Sequence, residues 1–354
     1  MTAFRFFDGH NDLLYRLWSR HHGRVAHWRD GKGAYHLDLP RMEQAGYCGA
    51  FFAIWVPDQF DAPVDVDALM QGPQFDLPLP NPVDQSFAQT VALNQASALI
   101  EIERLAPERF KICRNRKDLT GALSEGKIAA IMHMEGAEAI GPNLDQLHVW
   151  HQLGLRSLGP VWSRPTVFGD GVPFAFPSTP DRGAGLTALG KDLIAECDAL
   201  GIIVDLSHLN EKGFDDVAAI SKRPLVATHS NAHAVTPAAR NLTDRQLSVI
   251  AETDGVVGLN FATAFLRSDG QKNADTPWDD MIRHLDHLLG ILGPDNVVLG
   301  TDFDGAVVPD VVGDVTGLPA FANVLLDRGY GAELVDQVTS RNWIRFLEKA
   351  LPNA

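Results

Sequence analysis

Eight short apolar runs recur along the chain: FRFFDGH, YCGAFFAIWV, IAAIMHMEG, LRSLGPVW, IIVDLSH, PLVATHS, GVVGLNF and NVVLGTDF. Each has the length and the β-branched or aromatic content of a strand. Between them lie longer segments, such as SFAQTVALNQASALIEIERL, LTALGKDLIAECDALG and TPWDDMIRHLDHLLGIL, in which Leu, Ile, Val and Ala return at steps of three and four. That spacing puts the apolar side chains on one face of a helix. Strands alternating with helices describe repeated βα units around a parallel sheet, and eight of them in 354 residues predict a (β/α)8 TIM barrel. Residues 58–84 and 163–185 break the pattern with Pro, Asp, Gln and Gly, and are expected to be loops over the barrel mouth. No shift of composition separates two halves, so a single domain spanning 1–354 is expected, without internal repeats beyond the βα alternation.

The polar residues at the ends of these runs carry the chemistry. His10 and Asp12 end the first, Glu135 the third, His208 the fifth, His229 the sixth and Asp302 the eighth. In a barrel these C-terminal strand ends meet on one face, which is where such folds place their active sites. A single His or Asp at a strand end is explained well enough as a cap. Imidazole and carboxylate together at five of eight ends are not. Residues two apart on a strand share a side, so His10 and Asp12 can serve one ion while Asn11 faces away. Imidazole with carboxylate suits zinc or a similar divalent ion, and five such ligands with one bridging carboxylate would hold two ions.

Charge and composition narrow the partners. A formal net charge of −15, with Lys and Arg scattered, excludes the basic stripe that nucleic acid or an anionic membrane would need. A 45% hydrophobic content is enough for a sizeable core. Cys48, Cys113 and Cys197 are far apart, outside any Cys-x-x-Cys pair, and are expected to be reduced core residues. The opening MTAFRFFDGHND leaves no room for a secretory leader and no apolar run reaches membrane-spanning length, so a cytoplasmic location is expected.

Other histidines are read as bystanders. His21, His22, His27 and His36 fall in polar loop sequence, and His148, His151, His284 and His287 on helical patterns, all expected at the surface. His133, two residues before Glu135, is held in reserve as an inward-facing candidate, and His233 is either a neighbour of the site or a loop residue. Arg240, just past the sixth run, is either a solvated arginine or a fork for a substrate carboxylate.

The motifs DGHND (8–12), MEGAEAI (134–140), DLSHL (205–209), THSNAHAV (228–235) and GTDFDG (300–305), in this order and spacing, resemble the membrane dipeptidase (renal dipeptidase) family of zinc metallopeptidases, of the amidohydrolase-like superfamily. The resemblance runs through nearly the whole chain. It implies a (β/α)8 barrel with a binuclear zinc site. His10 and Asp12 would hold one ion, His208 and His229 the other, and Glu135 would bridge them. It further implies Asp302 as the proton-transferring carboxylate, Arg240 as the anchor of the dipeptide carboxylate, small dipeptides including L-Ala-D-Ala as substrates, and a homodimer.

Two features depart from that family. Mammalian members carry a substrate-polarising His after the fourth strand, where this chain reads VWSRPT and offers Trp162 as the substrate contact, with Arg164 or the metal as a substitute donor. The ending LEKALPNA has no counterpart of their lipid-anchor tail. Among rival readings, another amidohydrolase-type enzyme acting on a lactam, lactone or N-acyl amino acid keeps the same site. A lyase or isomerase would want an enolate-stabilising Lys, which no run end supplies.

Overall fold

All eight runs become parallel strands: β1 (Phe6–Asn11), β2 (Tyr47–Trp55), β3 (Ile128–Glu135), β4 (Leu155–Gly159), β5 (Ile203–Val204), β6 (Val226–Ala227), β7 (Val256–Asn260) and β8 (Val297–Gly300). A computed structural model describes residues 4–20, 24–32, 35–59 and 66–353, so the expectations for His21 and His22 lie outside the described residues. Hydrogen-bonded neighbours follow chain order from β1 to β5 and from β6 to β8, and β8 returns to β1. The ring closes between β5 and β6 through the parallel bridge of Asp205 with Val226, where Leu206 N–H donates to the Val226 carbonyl at 2.7 Å. The expected (β/α)8 barrel is the fold.

Alternation along the strands sorts the core into two regions. Phe7, Phe51, Ala129, Ile131, Ile203, Val226, Val256 and Val298 form the inner cluster, while Phe6, Ala50, Phe52, Ile54, Met132 and Met134 belong to the outer one beneath the helices. Burying side chains of this size contributes roughly 1.5–3 kcal/mol each. Trp343, on the helix Asn342–Ala350, packs on Phe7 and Phe51 and donates from Nε1 to the Leu299 carbonyl at 2.7 Å, plugging the barrel beneath the site.

Side-chain caps set where the outer helices begin. Thr187, Asn210 and Thr243 each accept a hydrogen bond from the backbone N–H three residues on, and Gln246 completes a capping box with Thr243. On the helix Trp278–Leu292, Met281, His284, Leu285, Leu288 and Leu292 make the buried face. Among the described residues no helix is long and apolar enough to cross a membrane.

The two expected mouth loops are not wholly irregular. Phe75–Asp76 in one pairs antiparallel with Ala175–Phe176 in the other, so the two segments support each other over the same rim; residues 60–65 of the first lie outside the described residues.

Candidate metal centre

The centre starts with a defect in β1. Asp8 pairs with Ala50 and Asn11 with Phe52, so β1 carries one residue more than β2 across this interval, a bulge that re-aims the side chains between them. Asn11 turns outward and donates from Nδ2 to the Phe51 carbonyl at 3.0 Å. Asp12 lies beyond the strand, at the N-cap of the helix Leu13–Ser19, and its Oδ2 is 3.3 Å from His10 Nε2. The expected pairing of His10 with Asp12 is present, but a bulge and a helix start produce it rather than strand alternation. Gly305 permits the arrangement, since a Cβ there would stand 2.0 Å from Asp12 Oδ2 and 2.7 Å from Asp302 Oδ1.

Glu135 is the focus. Residues 129, 131, 133 and 135 of β3 face inward, which raises Glu135 to the rim above His133. Its Oε1 lies 3.6 Å from His10 Nε2, 3.0 Å from His208 Nε2 and 3.4 Å from His229 Nε2. His208 and His229 follow the ends of β5 and β6 in the loops rather than on the strands, because those strands stop after two residues each. His208 adopts φ +68° and Asp302 φ +60°, left-handed values uncommon for residues other than glycine and often found where a structure holds a functional side chain against its preference.

Second nitrogens fix the orientation of two of the three rings. His208 Nδ1 is 2.9 Å from Ser163 Oγ, and His229 Nδ1 is 2.8 Å from Thr228 Oγ1, which itself donates to Asp205 Oδ2 at 2.6 Å. Thr228 Oγ1 therefore accepts from His229 Nδ1–H, leaving the His229 Nε2 as a lone pair. Burial, then the neighbouring cations, press both His208 and His229 well below the usual imidazole range, so both are neutral. His10 is the contrary case: burial pushes its pKa down, but the carboxylates of Glu135, Asp12 and Asp302 raise it to about 10. Both of its ring nitrogens are buried without a hydrogen-bond partner. Burial drives Glu135 well above the ordinary carboxylate range.

Imidazole nitrogens and carboxylate oxygens gather closely here, and neither His10 nitrogen has a hydrogen-bond partner to occupy it. Within this cluster His10, Glu135 and His229 place donor atoms within 4.8 Å of one another, as do His10, Asp12 and Asp302. The residues fit a divalent cation by their donor chemistry.

A cavity of about 340 Å³ opens above the cluster, bordered by Asp12, Glu135, His208 and Asp302 below and by Trp55, Trp162, Phe174 and Phe265 around it. Asp302 is held by Asn260, whose Nδ2 donates to Oδ2 at 3.1 Å, and burial raises its pKa. Trp162 is half-buried, with its ring 5.9 Å from that of His208. Arg240 is buried and does not border the cavity; its Nη1 donates to Ser230 Oγ at 2.8 Å, its Nη2 to the His229 carbonyl at 2.9 Å, and Nε has no partner. Arg164 is not a spare donor for substrate, because its guanidinium is fully buried and committed to the Val56 carbonyl, Glu138 and Asp58.

Among the bystanders, His284 corrects the surface expectation. It is fully buried, accepting at Nδ1 from Ala232 N–H at 3.1 Å, with Nε2 3.1 Å from the Leu266 carbonyl. His36 is half-buried and accepts from Asp304 N–H at 2.8 Å, so it too is structural. His133 does face inward, bonded to Ser157 and 3.5 Å from Asp205, below the cluster. His233 turns to the Ser178 carbonyl. Sequence pattern alone does not single out Ser163, Thr228, Asp205 or Asn260. The Asp in DLSH and the Thr in THS, each just before a candidate histidine, are the available signals.

A parallel barrel that gathers imidazoles and carboxylates at its C-terminal rim defines a metal-dependent hydrolase of the amidohydrolase-like kind. The chain belongs to the membrane dipeptidase family (peptidase family M19), whose sequence model matches residues 1–353. A crystallised metallopeptidase of that family, a dipeptidase, is 54% identical, with a TM-score of 0.96 over 99% of this chain and 100% of its own. A metallopeptidase from Rhodobacter sphaeroides, solved with a phosphinate mimic of the dipeptide L-Ala-D-Ala, is likewise 54% identical, with a TM-score of 0.96 over 98% of this chain and 99% of that one. The dipeptidase tcpJ of Claviceps purpurea is 26% identical over 97% of this chain and 76% of its own length. The protein is a metal-dependent dipeptidase.

Proposed function

We propose that the protein hydrolyses small dipeptides, L-Ala-D-Ala among them, with two zinc ions held by His10, Asp12, Glu135, His208 and His229. The observation that carries this reading is the convergence of three imidazole Nε2 atoms on one oxygen of Glu135, at 3.0 to 3.6 Å. His10 and Asp12 form one side of the centre, His208 and His229 the other, and Glu135 lies between them. Ions bound there would supply a hydroxide near neutral pH and would polarise the scissile carbonyl.

This chain's own residues supply the rest. Asp302 sits beside the centre with its carboxyl fixed by Asn260, in place to take a proton from the attacking water and return it to the leaving amine. Burial raises its affinity for that proton. Arg240, behind the cavity wall beside Phe265, is the group proposed to hold the C-terminal carboxylate, on turning its guanidinium from Ser230 and the His229 carbonyl toward the cavity. Trp162 closes the cavity on the His208 side and excludes water there.

The test is a panel of L,L- and L,D-dipeptides, lactams, lactones and N-acyl amino acids against zinc-loaded protein. Hydrolysis of the dipeptides is expected; turnover confined to the other classes would overturn the reading. Arg240→Lys should raise KM about tenfold or more for L-Ala-D-Ala and leave L-Ala-D-Ala amide, a poor substrate for both proteins, unaffected.

A further inference from the structure

The mouth of the cavity holds a charged group for which the dipeptidase reaction itself has no use. Asp58, 38% exposed on its side chain, is paired at 2.9 Å with Arg164, which is fully buried. Arg164 is also paired at 2.9 Å with the buried Glu138. One guanidinium therefore serves two carboxylates, and the exposed end of the trio is the Asp58 carboxylate. The trio joins three rim loops, since Asp58 follows β2, Glu138 follows β3 and Arg164 follows β4. Asp58 is thus fixed in place rather than free to fold away.

Between Asp58 and the metal centre stands an aromatic wall. The Trp162 ring is 5.9 Å from His208, the Trp55 ring is 5.2 Å from Trp162, and the Tyr15 ring is 4.9 Å from Trp55. All of these residues border the cavity, together with Asp58. Aromatic faces ending at a carboxylate favour an alkyl chain tipped with a cation.

Strand order decides which residue of the substrate meets this wall. Arg240 follows β6, and β2 lies four strands away around an eight-stranded ring, on the opposite side. A dipeptide whose carboxylate is held near Arg240 directs its N-terminal residue toward the end of β2. The α-ammonium lies within two bonds of the scissile carbonyl and stays near the metal centre. Asp58 borders the same cavity from the loop after β2 and is joined to the aromatic wall through Arg164, whose guanidinium lies 5.1 Å from the Trp162 ring. We infer that Tyr15, Trp55, Trp162 and Asp58 form a subsite for a cationic side chain, lysine or arginine, on the N-terminal residue of the dipeptide.

Two cations also border the cavity. Arg16 donates from Nε to the Asp304 carbonyl at 2.7 Å, and Lys272, in the loop after β7, meets the loop after β2 through its backbone N–H, which donates to the Met70 carbonyl at 2.8 Å. The ion-pair partner of Asp58 is Arg164.

This inference rests on the dipeptidase reading, and the experiment separates the two. The zinc-loaded enzyme is assayed on L-Lys-D-Ala, L-norleucyl-D-Ala, L-Glu-D-Ala and L-Ala-D-Ala. Norleucine matches the length of lysine without its charge. The expected result is a kcat/KM for the lysyl substrate about tenfold above the norleucyl one, with the glutamyl substrate poorest. In Asp58→Asn that ratio should fall toward one, and in Asp58→Glu it should be largely retained, with metal content equal in all three proteins. Equal rates for lysyl and norleucyl substrates, or a ratio unchanged in Asp58→Asn, would overturn the subsite while leaving the dipeptidase reading intact. Failure to hydrolyse any of the four would overturn both.

Discussion

The Nε2 atoms of His208 and His229 lie 3.1 Å apart, each ring tethered from behind at Nδ1 by a hydroxyl, Ser163 for one and Thr228 for the other. Two imidazole nitrogens facing each other and one carboxylate oxygen in this way form a donor set suited to a divalent cation. The tethers fix both imidazoles in the orientation that the proposed metal site requires.

Removing a tether should loosen the metal without unfolding the barrel. Thr228→Val and Ser163→Ala are each expected to weaken binding at the His208–His229 side by about 10- to 100-fold. Competition with a chelator, followed by metal analysis, measures this. Unchanged retention in both variants would remove the hydroxyls from the account.

Asp302 tests the proton shuttle. Asp302→Asn keeps the shape and the contact with Asn260 while removing the base, and kcat is expected to fall about 10²- to 10⁴-fold with metal content unchanged. Loss of an ion together with activity would instead make Asp302 a ligand, a role its closeness to His10 and Asp12 allows.

Gly305 is required by space rather than by backbone conformation. The Cβ of Gly305→Ala would meet Asp12 Oδ2 at 2.0 Å and Asp302 Oδ1 at 2.7 Å, so one or both carboxylates must turn away from the centre to admit it. The variant is expected to lose at least about tenfold in kcat/KM and to bind the ion on the Asp12 side more weakly. Wild-type kinetics in this variant would show the rim to be softer than its packing implies.

Away from the metals, His284 should give the protein an acid limb of stability. Burial presses its pKa from 6.5 to about 3, so the folded chain binds fewer protons there than the unfolded chain between these values. Stability from this group is fully present above pH 6.5 and is lost as pH falls toward 3. Protonating Nδ1 would break the bond it accepts from Ala232 N–H. Compared with His284→Gln in urea titrations at several pH values, the wild type should lose stability more steeply below about pH 6.5, by on the order of 1 kcal/mol per pH unit. Parallel profiles would contradict the assignment.

Much of this arrangement is legible in the amino-acid sequence. Apolar runs and helical spacings place all eight strands, and the residues at the run ends do meet at one rim. What the pattern misses are local events that hydrophobicity does not report. The bulge in β1 and the early ends of β5 and β6 move His10, His208 and His229 off ideal strand positions without separating them. His284 is buried against the surface expectation, although its spacing from Met281, Leu285 and Leu288 places it on the apolar stripe. Arg164 reads as a possible substrate donor because a sequence does not reveal that Glu138 and Asp58 already occupy it.

Counting metal ions in the purified, zinc-reconstituted protein while following L-Ala-D-Ala hydrolysis tests the central claim most directly. Two zinc ions per chain are expected, with activity lost on chelation and regained as zinc is returned. A preparation stripped of metal that still hydrolyses the dipeptide at the full rate would contradict it.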